Sequence, residues 1–489
     1  MLDKETLTGL ALGSLLILTG VVGVWLGGRA EDMVPISFMG IGVLVASIVV
    51  AGEVRRSLMG RREREVDRLF TAAGRGLGLT LGPAARPMGR SIYGPVDGTY
   101  VTATCVPTGP DANNWVTGVT VGTHHPLLAR LQVRSRWKAA VTAQASASAH
   151  GAVEIGDQRF DRLVEVRGPA ATAFAVLTHA ARQAIAHLAH RGVVSVVDGQ
   201  LTFETNERLW KAAELVTQIR EAIAAVHSLP SVADATEALA AAATTDPDPD
   251  VRVQALRTLV AEQGDQASAT ETLERALADN NDAVRVVAAG ALGERGVPVL
   301  VEIAERENGD DEAAARAINV LGRRIPTERL IAVLDAALHA ERLPVALAAI
   351  DMLGRPRDPH ACERLRELLR HGDEPERVAA ANALARVSLP EAEDALDRAL
   401  EEPRKSVRRA AARALGDAGG PASLVALRAL LERDAADEEI GSIAKRAIAK
   451  IRQRLPDLGS GHVMLAESDS GQLSVADMRE RGDLASAEE

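Results

Sequence analysis

The chain has 489 residues, 47% apolar and 25% charged, so it is long enough for several folded domains and is not globally disordered. Only 2% of residues are aromatic, which calls for cores of small aliphatic side chains and favours helix-on-helix packing. The net charge of -11 is spread without a long basic run, which argues against nucleic-acid binding, while two distant cysteines, Cys105 and Cys362, exclude a disulfide framework or CxxC metal pair and are expected as buried thiols.

The first segment, LTGLALGSLLILTGVVGVWLGG (residues 7–28), holds 22 positions without a charge. As a helix it would span about 33 Å, enough to cross a bilayer. After RAED comes MVPISFMGIGVLVASIVVAG (residues 33–52), 20 further uncharged positions with Pro35 near the start, where a helix tolerates it. The pair is predicted to form two transmembrane helices. The leader MLDKET balances its base with acids and no A-x-A site follows, which argues against a cleaved signal peptide. Glycines 9, 13, 20, 23, 40 and 42 would let the spans approach closely or self-associate. Neither span holds an ionisable residue, so ion or proton transport has no support.

Just beyond the second span lies EVRRSLMGRRERE, with Arg55, Arg56, Arg61, Arg62 and Arg64 against Arg29 alone in the connecting loop. The positive-inside rule then predicts a multi-pass protein of the inner (plasma) membrane with its soluble domains in the cytoplasm. Residues 53–70 read as a basic juxtamembrane linker in which Arg55, Arg56, Arg61 and Arg62 face the membrane. Glu63, Glu65 and Asp67 are interleaved with them and weaken the attraction to anionic lipid.

Residues 71–206 carry strand signals: SIYGPVDGTYVTATCV with a hairpin at Val96-Asp97-Gly98, then WVTGVTVGTH and LLARLQVRSR. EIGDQRFDRLVEVRG and the helical TAFAVLTHAARQAIAHLAH follow, and VVSVVDGQLTF adds a second hairpin at Asp198-Gly199. This predicts a small mixed α/β domain, a mixed sheet with one covering helix. Its histidines make poor metal ligands: His124 and His125 are adjacent and point apart on a strand, and His179, His187 and His190 have no third ligand beside them. The string GDQRFDRLVEVRG with the later VVDGQL is similar to a cytoplasmic segment of uncharacterised bacterial membrane proteins, a resemblance that implies no activity. No G-x-S-x-G, P-loop lysine or H-E-x-x-H occurs, so no catalytic, cofactor or metal residue is expected.

Residues 207–247 contain two helical stretches expected to cap the C-terminal array and join it to the α/β domain. From 248 to 455 one pattern recurs, bringing Leu259, Leu292, Leu321, Leu353, Leu384, Leu415 and Ile448 into register at spacings of 33, 29, 32, 31, 31 and 33. Two helices per unit at that period predict an α-solenoid. Asp250, Asp282 and Asp310 are expected to cap the first helices, and Val284, Val287, Ala288, Ala291 and Leu292 to form one apolar stripe. In AAGALGERG, Gly293 belongs to the repeat and Gly296 is expected to supply a left-handed turn, so the glycines end a helix and do not cradle a phosphate. Asp246, Asp248 and Asp250 mimic the opening of a calcium loop. Val251 and Arg257 stand where such a loop needs Gly and Glu, leaving a linker and helix cap. The tail 456–489 is polar and acidic and reads as disordered.

The signature at Asp282 to Gly293 resembles HEAT repeats, in particular the phycobilin-lyase HEAT-like variety, with departures at Ala385 and in the fourth repeat, which lacks the equivalent of Arg285. Looser turns are expected there. The resemblance implies a helical protein-binding surface. A membrane-anchored scaffold or adaptor is the leading expectation, with a lyase or chaperone-like enzyme, or a structural subunit of a membrane complex, as alternatives. The acidic second helix containing Glu391, Glu393, Asp394, Asp397, Glu401 and Glu402 suggests a basic partner, bound through Glu391, Asp394, Asp397 and Glu401.

Overall fold

A computed structural model describes residues 60–82, 89–108, 114–123, 130–136, 151–230, 234–264, 266–354 and 357–455. The apolar segments 7–28 and 33–52, Arg55, Arg56, the His124–His125 pair and the tail lie outside them. Among the described residues no helix is long and apolar enough to cross a membrane. The chain divides into two compact units, residues 1–269 and 270–489.

In the first unit, residues 60–77 form α1, so helix begins inside the stretch read as a linker. The strands are β1 (Thr80–Gly82), β2 (Arg90–Val96), β3 (Thr99–Thr108), β4 (Asn114–Gly122), β5 (Gln132–Ser135), β6 (Ala152–Val153), β7 (Val164–Arg167), β8 (Val193–Val197) and β9 (Gln200–Thr205). They make one sheet in the order β1-β2-β3-β4-β9-β8-β5-β7-β6. Every pairing is antiparallel, which corrects the mixed sheet expected from sequence. Short hairpins explain this: Asp97 and Asp198 take φ of 49° and 51°, Gly98 and Gly199 take 78° and 73°, the conformation that two-residue turns between antiparallel strands require.

The register sets Val101, Ala103 and Cys105 opposite Val121, Val119 and Thr117, and these opposite Leu201, Phe203 and Thr205, so one face of the sheet is buried throughout. Helices α2 (Gln158–Leu163), α3 (Ala170–Val176), α4 (His179–Arg191) and α5 (Ala212–His227) complete this part. The single covering helix of the sequence reading is thus two, broken at Leu177–Thr178, where Thr178 caps α4. Helix α5 packs on β3, β4, β9 and α4, so it belongs with the sheet domain. Helices α6 (Ala235–Thr245) and α7 (Pro249–Gln263) form the first helical pair and pack on α3. Helix α8 (Ala267–Ala276) follows.

In the second unit the first helices of successive repeats are α9 (Asp282–Ala291), α11 (Asp311–Leu321), α13 (Leu343–Leu353), α15 (Glu374–Val387), α17 (Lys405–Ala418) and α19 (Glu438–Arg454). Between them run the second helices α10 (Val297–Glu305), α12 (Thr327–His339), α14 (Pro359–His371), α16 (Pro390–Ala399) and α18 (Ser423–Arg433). First helices stack on first helices through one continuous core of Ala, Leu, Ile and Val. No single pair could bury its apolar stripe alone, so each repeat is stabilised by its neighbours.

Several local expectations are corrected. Asn281, not Asp282, caps α9, accepting from the Ala283 and Val284 amides, and Asp248, not Asp250, caps α7; Asp310 caps α11 as expected. The buried stripe of α9 is Val284, Val286, Ala288 and Ala289, while Ala291 is exposed and Val287 and Leu292 half-buried. Gly293 takes the left-handed φ of 61° expected of Gly296, whereas an added Cβ on Gly296 would sit 1.9 Å from the Ala289 carbonyl oxygen. Gly354 and Gly416 do a third job, letting first helices touch at the Ala383 and Ala447 backbones. The turn at Ala385 is not loosened, because α15 runs on to Val387 and Ser388 takes φ of 53°.

Candidate functional site

Acidic side chains on the second helices differ in what neutralises them. Glu305 at the end of α10 pairs with Arg329 of α12, and Asp335 of α12 accepts from Arg364 of α14 at 2.7 Å. These pairs stitch one repeat to the next, though exposed pairs stabilise by no more than about 1 kcal/mol each. In and after α16 the carboxylates separate into two sets. Glu393 accepts from the Gly420 amide at 2.6 Å and the Ser423 hydroxyl at 2.7 Å, and Glu402 pairs with Arg377. Asp397 is turned inward, its Oδ1 buried without a hydrogen-bond partner. Burial pushes its carboxyl up to about 6, aided by repulsion from Glu393 and Asp394 and opposed by the Ser423 hydroxyl.

Glu391, Asp394 and Glu401 are exposed and have no ion-pair partner among the described residues. Of the four carboxylates expected to meet a partner, three therefore face solvent with uncompensated charge. Asp397 does not: it lies in the α16–α18 joint because Ser423, fully buried at the start of α18, lies beside it.

Between α10 and α12 the second helices leave a recess of about 200 Å³, lined by Ala304, Val333, Ala336, Ala337 and Ala340 and edged by Glu305 and Glu307. Arg342, about one-tenth exposed, also lines it; it donates to Asp311 at 2.6 Å and to the Arg306 carbonyl at 2.7 Å, and its Nη2 has no partner. Small-molecule sites usually measure roughly 300–1,000 Å³, so this recess suits a single side chain better.

The remaining sequence candidates do not converge. His179 lies against Gln183, while His187 stands beside Glu221 and His190 is exposed. Among the described residues no group of His, Cys, Asp and Glu is placed to hold a metal. Both cysteines are buried and free, and burial raises each thiol above its usual range.

Two arrangements were not read from sequence. The positions Arg252, Arg285, Arg377 and Arg408 share one register, and each guanidinium donates to a carbonyl at the end of the preceding second helix: Asp246, Leu277, Leu369 and Glu402, at 2.7, 3.1, 3.0 and 2.8 Å. Arg285, Arg377 and Arg408 also reach forward to Glu302, Glu402 and Asp434. The arginine of the repeat is thus a clamp on three helices, satisfying carbonyls that a helix end leaves free.

The second arrangement lies in the first unit. Arg182 of α4, 1% exposed, donates to both oxygens of Asp246 at 3.0 Å and to Asp157 at 3.0 Å. Asp246 ends α6, so the run DPDPD is a buried joint as well as a linker and cap. Gly156 completes it, since an added Cβ would sit 2.6 Å from the Asp250 carbonyl oxygen. Burial acts to raise the Asp157 carboxyl, but the Phe160 amide and the Arg182 guanidinium outweigh it and hold the group below its usual range.

Residues 236–306, 297–381 and 363–447 match the family described as HEAT repeats, so the helical array is a HEAT-repeat region, and the match begins in α6. Among solved structures, human deoxyhypusine hydroxylase in complex with glycerol shares 19% identity, covering 45% of this chain and 96% of that one with a TM-score of 0.21. No curated protein matches the chain in sequence.

Proposed function

We propose that this chain is a non-enzymatic adaptor that the two apolar segments anchor in the inner membrane, and that its cytoplasmic HEAT-repeat region holds a basic protein partner. The observation that carries the reading is the set of unpaired, exposed carboxylates Glu391, Asp394 and Glu401, in a stack where Glu305 and Asp335 are neutralised across repeats. Arg398 of α16 is exposed and without an ion-pair partner among the described residues as well, but the three carboxylates outnumber it. Net negative charge steers association with a partner of the opposite sign. The recess beside Arg342 supports a protein partner, because it has the volume for one anchoring side chain.

The test is capture of partners by the full chain carrying Glu391→Gln, Asp394→Asn and Glu401→Gln. Capture is expected to fall several-fold at low salt and to lose its dependence on ionic strength. Unchanged capture and unchanged salt dependence would remove the basis of the proposal.

A further inference from the structure

Helix α1 sorts the interleaved charges that the sequence presents as mixed. Its acids are paired: Asp67 accepts from Arg90 at 2.5 Å, Glu63 lies 3.9 Å from the same guanidinium, and Glu65 pairs with Arg62 at 2.9 Å and Arg208 at 3.2 Å. Arg61, Arg64 and Arg68 are exposed at the spacing of one helical face, without an ion-pair partner among the described residues. Arg62, grouped with them in the sequence reading, is not free: it pairs with Glu65 and donates to the Leu209 carbonyl at 3.3 Å. The unpaired charge of α1 is therefore positive, because each acid expected to weaken it is held by an arginine.

Arg208 and Leu209 are bonded to Glu65 and Arg62 of this helix, and the next residue, Trp210, is 61% exposed with the Arg208 guanidinium 4.0 Å from its ring centroid. An exposed indole on a segment bonded to an arginine-bearing helix is the composition of a protein surface that sits at the headgroup level of a bilayer, where the ring meets the interface and the cations meet lipid phosphates. Chain connectivity supplies the proximity. The eight residue steps from Gly52, where the second apolar run ends, to Gly60, the first described residue of α1, span at most about 29 Å.

We infer that the outer face of α1, through Arg61, Arg64 and Arg68, together with Trp210, docks on the anionic lipid surface and fixes the sheet domain against the membrane. This rests on the membrane-anchored reading above, and the experiment separates the two.

The full chain is reconstituted in phosphatidylglycerol-containing vesicles, with brominated or ordinary acyl chains, in two versions. One keeps Trp210 alone among the four tryptophans, the other Trp25 alone, the rest being changed to Phe. Brominated lipid is expected to quench both, and Arg61→Gln, Arg64→Gln and Arg68→Gln together are expected to return Trp210 to its brightness in neutral-lipid vesicles while leaving Trp25 quenched. Quenching of Trp25 without Trp210 overturns the docking and leaves the anchor standing. Quenching of neither overturns both, and quenching of Trp210 that the arginine changes do not touch overturns the role assigned to them. A nitroxide on Trp210→Cys, selective because Cys105 and Cys362 are buried, reads the same depth by electron paramagnetic resonance with the other tryptophans in place.

Discussion

Replacing Asp246 by alanine should damage the first unit far more than its place in an acidic linker suggests. The change removes two charge-assisted hydrogen bonds of 3.0 Å and leaves Arg182, 1% exposed, with Asp157, the Leu177 carbonyl and a long contact to His179 as its partners. Breaking a buried ion pair on one side costs about 3–5 kcal/mol, because the remaining charge stays out of water. For a unit of some 150–250 residues each kcal/mol moves the midpoint by about 2–4 °C, so the lowest thermal transition should fall by roughly 10 °C. The assay is circular dichroism melting of the full chain in detergent, with Asp250→Ala as control. Asp250 is exposed and belongs to the same acidic run, so that variant should stay within about 0.5 kcal/mol of the parent. The pair Arg182→Met with Asp246→Leu should cost well below the sum of the single changes, since no charge is stranded. Equal melting of Asp246→Ala and Asp250→Ala would refute the buried-joint reasoning. The pH dependence has a definite sign: the Asp157 carboxyl is held below 3.8, so its contribution is complete above that value and is lost as pH falls through the lower folded-state value.

Asp397 behaves in the opposite sense. Its folded carboxyl titrates near 6 against 3.8 unfolded, so the second unit is most stable below pH ~4 as far as this group is concerned and loses stability as pH rises to 6. Asp397→Asn should flatten that slope and stabilise the unit near pH 7.5 by about 1 kcal/mol after allowance for partial exposure, and an unchanged slope of melting temperature against pH would contradict the assignment. Gly354→Val should cost about 2 kcal/mol or more, since an added Cβ at 354 lies 2.7 Å from the Ala383 backbone, whereas Gly293→Ala should cost about 1 kcal/mol from its positive φ alone; equal losses in denaturant titration would refute the distinction. Arg377→Ala should cost about 1.5–3 kcal/mol by removing the bond to the Leu369 carbonyl and the pair with Glu402, and Arg377→Lys should recover only part of it in the same titration.

The repeat was legible because a solenoid writes its core at a fixed period: Leu321, Leu353, Leu384 and Leu415 are buried in the register the sequence set. The two Asp-Gly hairpins were legible because few residue pairs tolerate positive φ twice in succession. What escaped reading depends on partners distant in sequence. Arg182 occupies a buried position of α4 between Ala181 and Ile185, a signal of a buried ion pair, but its partner lies 64 residues on. The sheet's uniform antiparallel pairing needed the joining of β4 to β9 and of β5 to β8, which no local pattern encodes. In the candidate site, composition marked α16 as acidic, but only the positions of Gly420, Ser423 and Arg377 decide which carboxylates are taken. The same holds at α1, where Arg90 and Arg208 neutralise acids that the sequence shows only as neighbours of arginines.

The central claim is that the second unit recruits a protein. Its most direct measurement is affinity capture from a membrane extract with the detergent-solubilised full chain and with a chain lacking residues 270–455, the bound proteins quantified by mass spectrometry. Partners enriched by the full chain should be lost from the shortened one, and retention of the same partners at the same yield would contradict the adaptor reading.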